Sequence, residues 1–248
     1  MAQEFAGKVV LVTGGSRGMG REMVHAFAER GADVVVASRK VEQCEAVAAD
    51  VRERYGVRAL PVGVNVSSWA GCDSLVDTVH GELGRVDVLV NNAGASPLYP
   101  SLDHVSEEYF DKVIGINLKG PFRLCARIGT RMAEGDGGSI VNIGSVEAIR
   151  PQPTALPYAA AKAGLVTLTE GFAQAFGPTV RVNAIQPGAF LTDIAQAWPE
   201  GAAEAMAEKV ALARCGRPSE IVGAAVFLAG SASSYVTGTV LRVDGGWR

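Results

Sequence analysis

A chain of 248 residues is long enough for one large α/β domain or two small ones. Hydrophobic residues make up 48% and charged residues 20%, ordinary for a globular protein with a sizeable core. The net charge of −3 offers no basic field for nucleic acid or an anionic membrane, and no apolar run approaches the ~18 residues of a membrane span. Aromatics are only 6%, while Ala, Val and Gly abound, which suits helices packed tightly on a sheet. Cys44, Cys72, Cys125 and Cys215 are far apart and read as buried or free thiols in a reducing compartment. His25, His80 and His104 show no metal-ligand spacing. The N-terminal MAQEFAGK lacks the layout of a signal peptide, so cytoplasm is the expected location.

Residues 8–13 form a short apolar run ending in a Gly-rich turn, the mark of a strand buried on both faces. An amphipathic stretch over 17–30 follows, then a strand at 33–38 and a helix over 41–55. A strand at 58–64 and a helix at 68–83 come next, then a strand at 86–91 and a long helix over 106–133. A strand at 138–144, a helix to Phe176 and a strand at 179–186 continue the alternation. Helical stretches at 200–213 and 218–229 and a strand at 237–243 complete it. Such alternation predicts βαβ units: a single-domain, Rossmann-type α/β fold with a doubly wound parallel sheet of about seven strands and helices on both faces. No linker or repeat divides 1–248. The aperiodic stretch 187–200, extended to about 215, is a candidate substrate lid.

Two stretches carry chemistry. The first is Thr13-Gly14-Gly15-Ser16-Arg17-Gly18-Met19-Gly20, between the first strand and the first helix. Glycines let the backbone turn sharply against a pyrophosphate, and a helix N-terminus offers it N–H groups. The spacing is Gly-x-x-x-Gly-x-Gly rather than Gly-x-Gly-x-x-Gly. An acidic residue ending the second strand would bind the ribose 2′-OH of NAD. This chain has Ser38, Arg39 and Lys40 there, with Arg17 in reach. An Arg fork suits a 2′-phosphate, so NADP(H) is preferred and NAD(H) possible. The same charges also suit a solvated helix opening. Asn65-Val66 and Asn91-Asn92-Ala93-Gly94 end the third and fourth strands, where parallel sheets place ligands; NNAG is equally a turn sequence.

The second stretch runs from Ser145 to Lys162. Tyr158 and Lys162 share a helix face at i and i+4, and Pro157 suits the first turn. A phenol normally titrates near ~10. A neighbouring ammonium lowers that value and makes the pair a proton-transfer device. Taken alone, Tyr-x-x-x-Lys also fits an ordinary surface pair.

The ordered motifs resemble the short-chain dehydrogenase/reductase family from Lys8 to Gly246: TGGSRGMG at 13–20, NNAG at 91–94, Asn117 in NLKG, Ser145, YAAAK at 158–162, PG at 187–188 and VDGG at 243–246. The resemblance, notably to 3-oxoacyl reductase-like members, implies an oxidoreductase interconverting a carbonyl and a secondary alcohol by hydride transfer. It implies that Tyr158 is the acid/base, that Lys162 lowers its pKa and holds the nicotinamide ribose, and that Ser145 orients the substrate oxygen. Asn117 would hold a relay water. Thr192 would bond the carboxamide and Asn65 would lie near adenine. Gly14, Ser16, Arg17, Gly18, Met19, Gly20, Ser38, Arg39, Val66, Asn91, Ala93, Gly94, Pro187, Gly188 and Phe190 complete the implied cofactor contacts, with Tyr158 and Lys162. Asn65 stands where the family usually carries Asp, and Gly144 where a second Ser is common. Alone, Asn117 reads as a helix kink and Ser145 as a turn former.

The candidate pocket walls are Ser96, Pro97, Leu98, Ser145, Glu147, Leu156, Phe190, Ile194 and Trp198. They suit a medium-sized carbonyl or alcohol with an apolar body, and Glu147 either binds a polar group or a cation or faces solvent. A 3-oxoacyl thioester fits; a sugar, steroid or small alcohol stays open, as does a non-catalytic NADP-binding regulatory protein. The VDGGWR tail resembles tails at subunit interfaces in tetrameric relatives, and with helices 106–133 and 157–176 it implies a homotetramer. No metal, nucleic acid or membrane partner is expected.

Overall fold

The computed structural model describes residues 3–193, 195 and 200–247. The strands are β1 (Val9–Thr13), β2 (Asp33–Ser38), β3 (Ala59–Gly63), β4 (Val88–Asn91), β5 (Gly138–Ile143), β6 (Val180–Pro187) and β7 (Val240–Val243). They form one parallel sheet in the order β3-β2-β1-β4-β5-β6-β7. The helices are α1 (Gly18–Glu29), α2 (Val41–Tyr55), α3 (Trp69–Leu83), α4 (Glu107–Ile114), α5 (Gly120–Glu134), α6 (Leu156–Phe176), α7 (Ala202–Ala207) and α8 (Val222–Ala229).

Successive side chains of a strand point to opposite faces, and both faces of this sheet are covered. Val10, Val12, Val34, Val36 and Ile185 pack with Met23, Phe27, Ala48 and Leu228 on the side of α1, α2 and α8. Val9, Leu11, Val35, Leu89 and Val182 pack with Leu75, Val79, Leu124 and Ile128 on the side of α3 and α5. Every residue of β1 and β4 is therefore buried, which explains their unbroken apolar sequence. The strand order reverses between β1 and β4. Ligands of open α/β sheets bind at the carboxyl ends beside such a switch point.

Three expectations need correction. The helix expected over 106–133 is interrupted by a π-helical turn at Gly115–Lys119, between α4 and α5. Two contacts account for it. Asn117 Nδ2 bonds both Val113 O (2.9 Å) and Ala95 O (2.8 Å), and a Cβ on Gly120 would lie 2.3 Å from Val66 O. The wider turn accommodates an inward Asn and a close backbone approach together. The helix expected at 200–213 contracts to α7. Past it, Ala211 N donates to Gly246 O and Leu212 N to Gly245 O, both at 3.0 Å, so the C-terminal tail draws this segment into extended pairing. The last strand begins at Val240 rather than at residue 237. Among the described residues, no helix is long and apolar enough to cross a membrane.

Candidate active site

The Gly-rich turn sits between β1 and α1, with Gly14 in the left-handed region at φ 66°. A Cβ on Gly20 would lie 2.2 Å from Gly14 O, and one on Gly14 would lie 2.8 Å from Asn92 Nδ2. The turn thus closes on itself and on the end of β4, leaving no room for side chains. Asn92 Nδ2 donates to Thr13 O (2.9 Å) and Gly14 O (3.2 Å). Thr13 Oγ1 accepts from the backbone N–H of Asn92 and Ala93, both at 3.1 Å. The sequence reading passed over Thr13 and Asn92 as site residues; their presence inside the two motifs was the available signal.

Arg17 occupies the N-cap of α1 and makes no capping bond. The first-turn N–H groups of α1 are thus left for another acceptor, the arrangement that binds phosphate. Arg17, Arg39 and Lys40 are exposed. None of the ion pairs among the described residues uses them. Ser38 is half-buried with Oγ 3.1 Å from Cys44 Sγ. Ser16 is half-buried, and Met19 packs partly against the core. Asn65 is exposed, its Oδ1 accepting from Ser67 N (3.2 Å) and Oγ (2.9 Å), while Val66 is buried. Across the turn, a Cβ on Gly18 would lie 3.5 Å from Thr192 Cβ. These features fit a dinucleotide: a close-approach turn, uncapped N–H groups, and unpaired cations at the end of β2.

Two expected cofactor contacts are redirected by packing. The Asn91 side chain is buried and donates to Asn142 Oδ1 (2.9 Å) and Cys125 Sγ (3.2 Å), so only its backbone is left for a cofactor. Phe190 is 7% exposed and belongs to the core. Its ring lies against Gly216, where an added Cβ would be 2.9 Å from Cε1. Pro187 is paired with Val243, and Gly188 packs tightly against Asp244.

The α6 helix brings the remaining candidates together. Lys162 is 3% exposed and Nζ donates to Ile143 O at 2.7 Å. Burial pulls its pKa down to about 8. Nζ lies 5.6 Å from the centre of the Tyr158 ring. Tyr158 does not show the expected depressed pKa. Burial, the largest influence, pushes the phenol up, the Ser145 side chain pulls it down, and Glu147 pushes it up again; the net direction is upward. The Lys162 ammonium gives one of its three hydrogens to the Ile143 carbonyl. Ser145 is buried, with Oγ accepting from Glu147 N (3.1 Å) and its carbonyl accepting from Gln186 Nε2 (3.0 Å).

Asn117 is fully buried in the π turn, and its Oδ1 accepts from Ala95 N at 3.3 Å. A Cβ on Gly94 would lie 3.0 Å from Asn117 Oδ1 and 3.6 Å from Lys162 Nζ, so Gly94 runs directly over these two side chains. Glu147 does not point freely to solvent. It is half-buried, with Oε2 accepting from Gln152 N at 2.7 Å, and burial pushes its pKa up. Of the other expected walls, Ser96 is half-buried, Leu98 is 69% exposed and Leu156 39% exposed. Ile194 and Trp198 lie outside the described residues.

A phosphate-type turn and a Tyr–Lys–Ser–Asn cluster, both at the carboxyl edge of a doubly wound sheet, define a dinucleotide-dependent oxidoreductase. The family model described as Enoyl-(Acyl carrier protein) reductase matches residues 14–248. A 3-oxoacyl-[acyl-carrier-protein] reductase of Thermotoga maritima is 37% identical, with 97% of each chain covered. The D-threitol dehydrogenase of Mycolicibacterium smegmatis is 36% identical over 97% of this chain and 93% of the relative. The crystal structure of a blue fluorescent protein from a metagenomic library, in complex with NADPH, superposes with a TM-score of 0.92 at 33% identity, covering 98% of each chain. The chain belongs to the short-chain dehydrogenase/reductase family and is an NAD(P)-dependent oxidoreductase acting on CH–OH/C=O groups.

Proposed function

We propose that the protein is an NADPH-preferring carbonyl reductase with Tyr158 as the proton donor. The observation that carries this reading is that Lys162 lies beside Tyr158, Tyr158 beside Ser145, and Gly94 over both Lys162 and Asn117. When bound, the cofactor supplies hydride chemistry, so the protein has to position, polarise and protonate. Ser145 Oγ, beside the phenol, holds the carbonyl oxygen. Tyr158 gives that oxygen its proton; a phenol is protonated at neutral pH, the state reduction requires. Lys162 supplies buried positive charge and a donor toward the cofactor ribose. The Asn117 side chain is committed to Ala95 and Val113.

Preference for NADP(H) rests on Arg17, Arg39 and Lys40, cations with no carboxylate to repel a 2′-phosphate. The substrate is a carbonyl compound with an apolar body, of the 3-oxoacyl thioester type. Exposed Leu98 and Leu156 favour it, as does the similarity to the Thermotoga maritima reductase. A polyol or sugar alcohol is the second reading, favoured by half-buried Glu147, which can accept from a hydroxyl. A panel of 3-oxoacyl thioesters, ketones, polyols and sterols assayed with NADPH and NADH at the nicotinamide absorbance tests both. Reduction of 3-oxoacyl thioesters with NADPH is expected. The Tyr158→Phe variant is expected to bind NADPH normally and lose at least 100-fold in kcat, in line with general acid catalysis; near-normal turnover would overturn the assignment.

A further inference from the structure

The turn that carries Tyr158 has an unusual start. Ala155 occupies the N-cap of α6 and has no side chain to accept a hydrogen bond, and Pro157 follows within the first turn. The Leu156 N–H is one of the first-turn donors that a helix cannot satisfy internally. Its acceptor comes from elsewhere: the Tyr99 hydroxyl oxygen, 3.1 Å away and 57 positions earlier in the chain. The same hydroxyl donates to Pro153 O at 2.5 Å. One group thus uses both its donor and its acceptor capacity on the segment leading into Tyr158.

Tyr99 is itself held. Its ring meets the edge of Tyr109 at 5.7 Å with an interplanar angle of 89°, a favourable edge-to-face geometry. The Tyr109 hydroxyl in turn donates to Pro97 O, two residues before Tyr99. The loop after β4, which carries Ser96 and Leu98, is therefore braced on α4 and tied to the loop before α6. At its other end, the loop before α6 is held by the bond from Gln152 N to Glu147 Oε2. One loop carries Ser96 and Leu98, and the other leads directly into Tyr158.

We propose that Tyr99 is a positioning residue for Tyr158: its hydroxyl clamps the loop after β4 to the first turn of α6 and fixes the height of the phenol at the substrate mouth. The proposal rests on Tyr158 being the proton donor, and it goes beyond that reading by assigning the group that aims it. Loss of the hydroxyl frees the Leu156 N–H and the Pro153 carbonyl together, two and five residues before Tyr158, without touching Lys162 or the Gly-rich turn.

The Tyr99→Phe variant keeps the aromatic contact with Tyr109 and removes only the clamp. Hydrogen–deuterium exchange should show amides of the first turn of α6 exchanging at least threefold faster, with α3 unchanged. With the carbonyl substrate from the panel above, kcat should fall about fivefold while the NADPH dissociation constant stays within twofold. Unchanged exchange and unchanged kcat overturn the proposal. The double variant Tyr99→Phe with Ala155→Ser separates clamping from capping, because Ser at the N-cap accepts a first-turn N–H but does not join the loops. Restored thermal stability with kcat still depressed supports the clamp; full recovery of kcat overturns it. If the wild-type enzyme reduces none of the carbonyls, the reading of Tyr158 fails, and the exchange measurement still decides whether Tyr99 orders the turn.

Discussion

Lys162 is buried with its ammonium on the Ile143 carbonyl, and its pKa falls from the ordinary 10.5 to about 8. A lysine held below its normal value costs stability while it is charged. From about pH 8 toward 10.5, the unfolded chain binds more protons than the folded one, so the folded state gains stability as pH rises. The shift corresponds to something on the order of 3 kcal/mol. The unfolding free energy of the wild type minus that of Lys162→Met should therefore climb between pH 8 and pH 10 in urea titrations. A flat difference would mean that the lysine is not buried as a charge. At the same scale, Arg39 is exposed at the carboxyl end of β2. Arg39→Asp places a carboxylate where a 2′-phosphate would sit, and the ratio of kcat/KM for NADPH over NADH should drop at least tenfold. An unchanged ratio would place the discrimination elsewhere, on Arg17 or Lys40.

At the scale of elements, α6 is registered on the sheet by a buried polar chain. Thr169 Oγ1 donates its single hydrogen to Leu165 O at 2.8 Å. It must then accept from Asn142 Nδ2 (3.0 Å), which turns Asn142 Oδ1 toward Asn91 Nδ2 (2.9 Å). Thr169 lies two turns beyond Lys162 on the same face of α6, so this chain sets the level at which Lys162 meets Ile143. Thr169→Val preserves shape and leaves the Asn142 amide without its acceptor, a loss of about 1–3 kcal/mol. Denaturant unfolding should show that loss, and Thr169→Ser should recover most of it. The π turn and the shortened α7 belong to this scale too. A 3.6-residue pattern does not register one inserted residue, and nothing local to 208–213 announces that the C-terminal tail will pair with it.

For the whole molecule, one face carries a row of part-exposed aromatic rings, the kind of surface that marks an interaction site. Trp69 is 43% and Phe122 38% exposed, their rings 6.1 Å apart, and Phe122, Phe172 and Phe176 continue the row across α5 and α6. Beside it, Arg123, Arg127 and Arg131 pair with Asp73 and Asp77, so the charges flanking the aromatic row are largely neutralised. We expect a homotetramer that uses this face, with light scattering reporting four times the 25.8 kDa chain mass. Phe122→Asp should reduce that mass; an unchanged assembly would place the interface elsewhere.

The sequence by itself determined the doubly wound sheet, because strands covered on both faces must read as unbroken apolar runs, as β1 and β4 do. It also determined which residues crowd the Gly-rich turn and which Tyr and Lys share a face of α6, since those relations are local. Tertiary structure alone decided where side chains point when the choice depends on distant neighbours. Asn91 turns into the interior because Asn142 and Cys125 wait there. Phe190 fills the space over Gly216. Lys162 sets one hydrogen on Ile143 O, and burial shifts the Tyr158 phenol up instead of down. Tyr99 reaches across 57 positions to the helix start it holds. Periodicity and spacing describe a segment against itself, whereas these orientations are set by packing and desolvation, which exist only once separate segments meet.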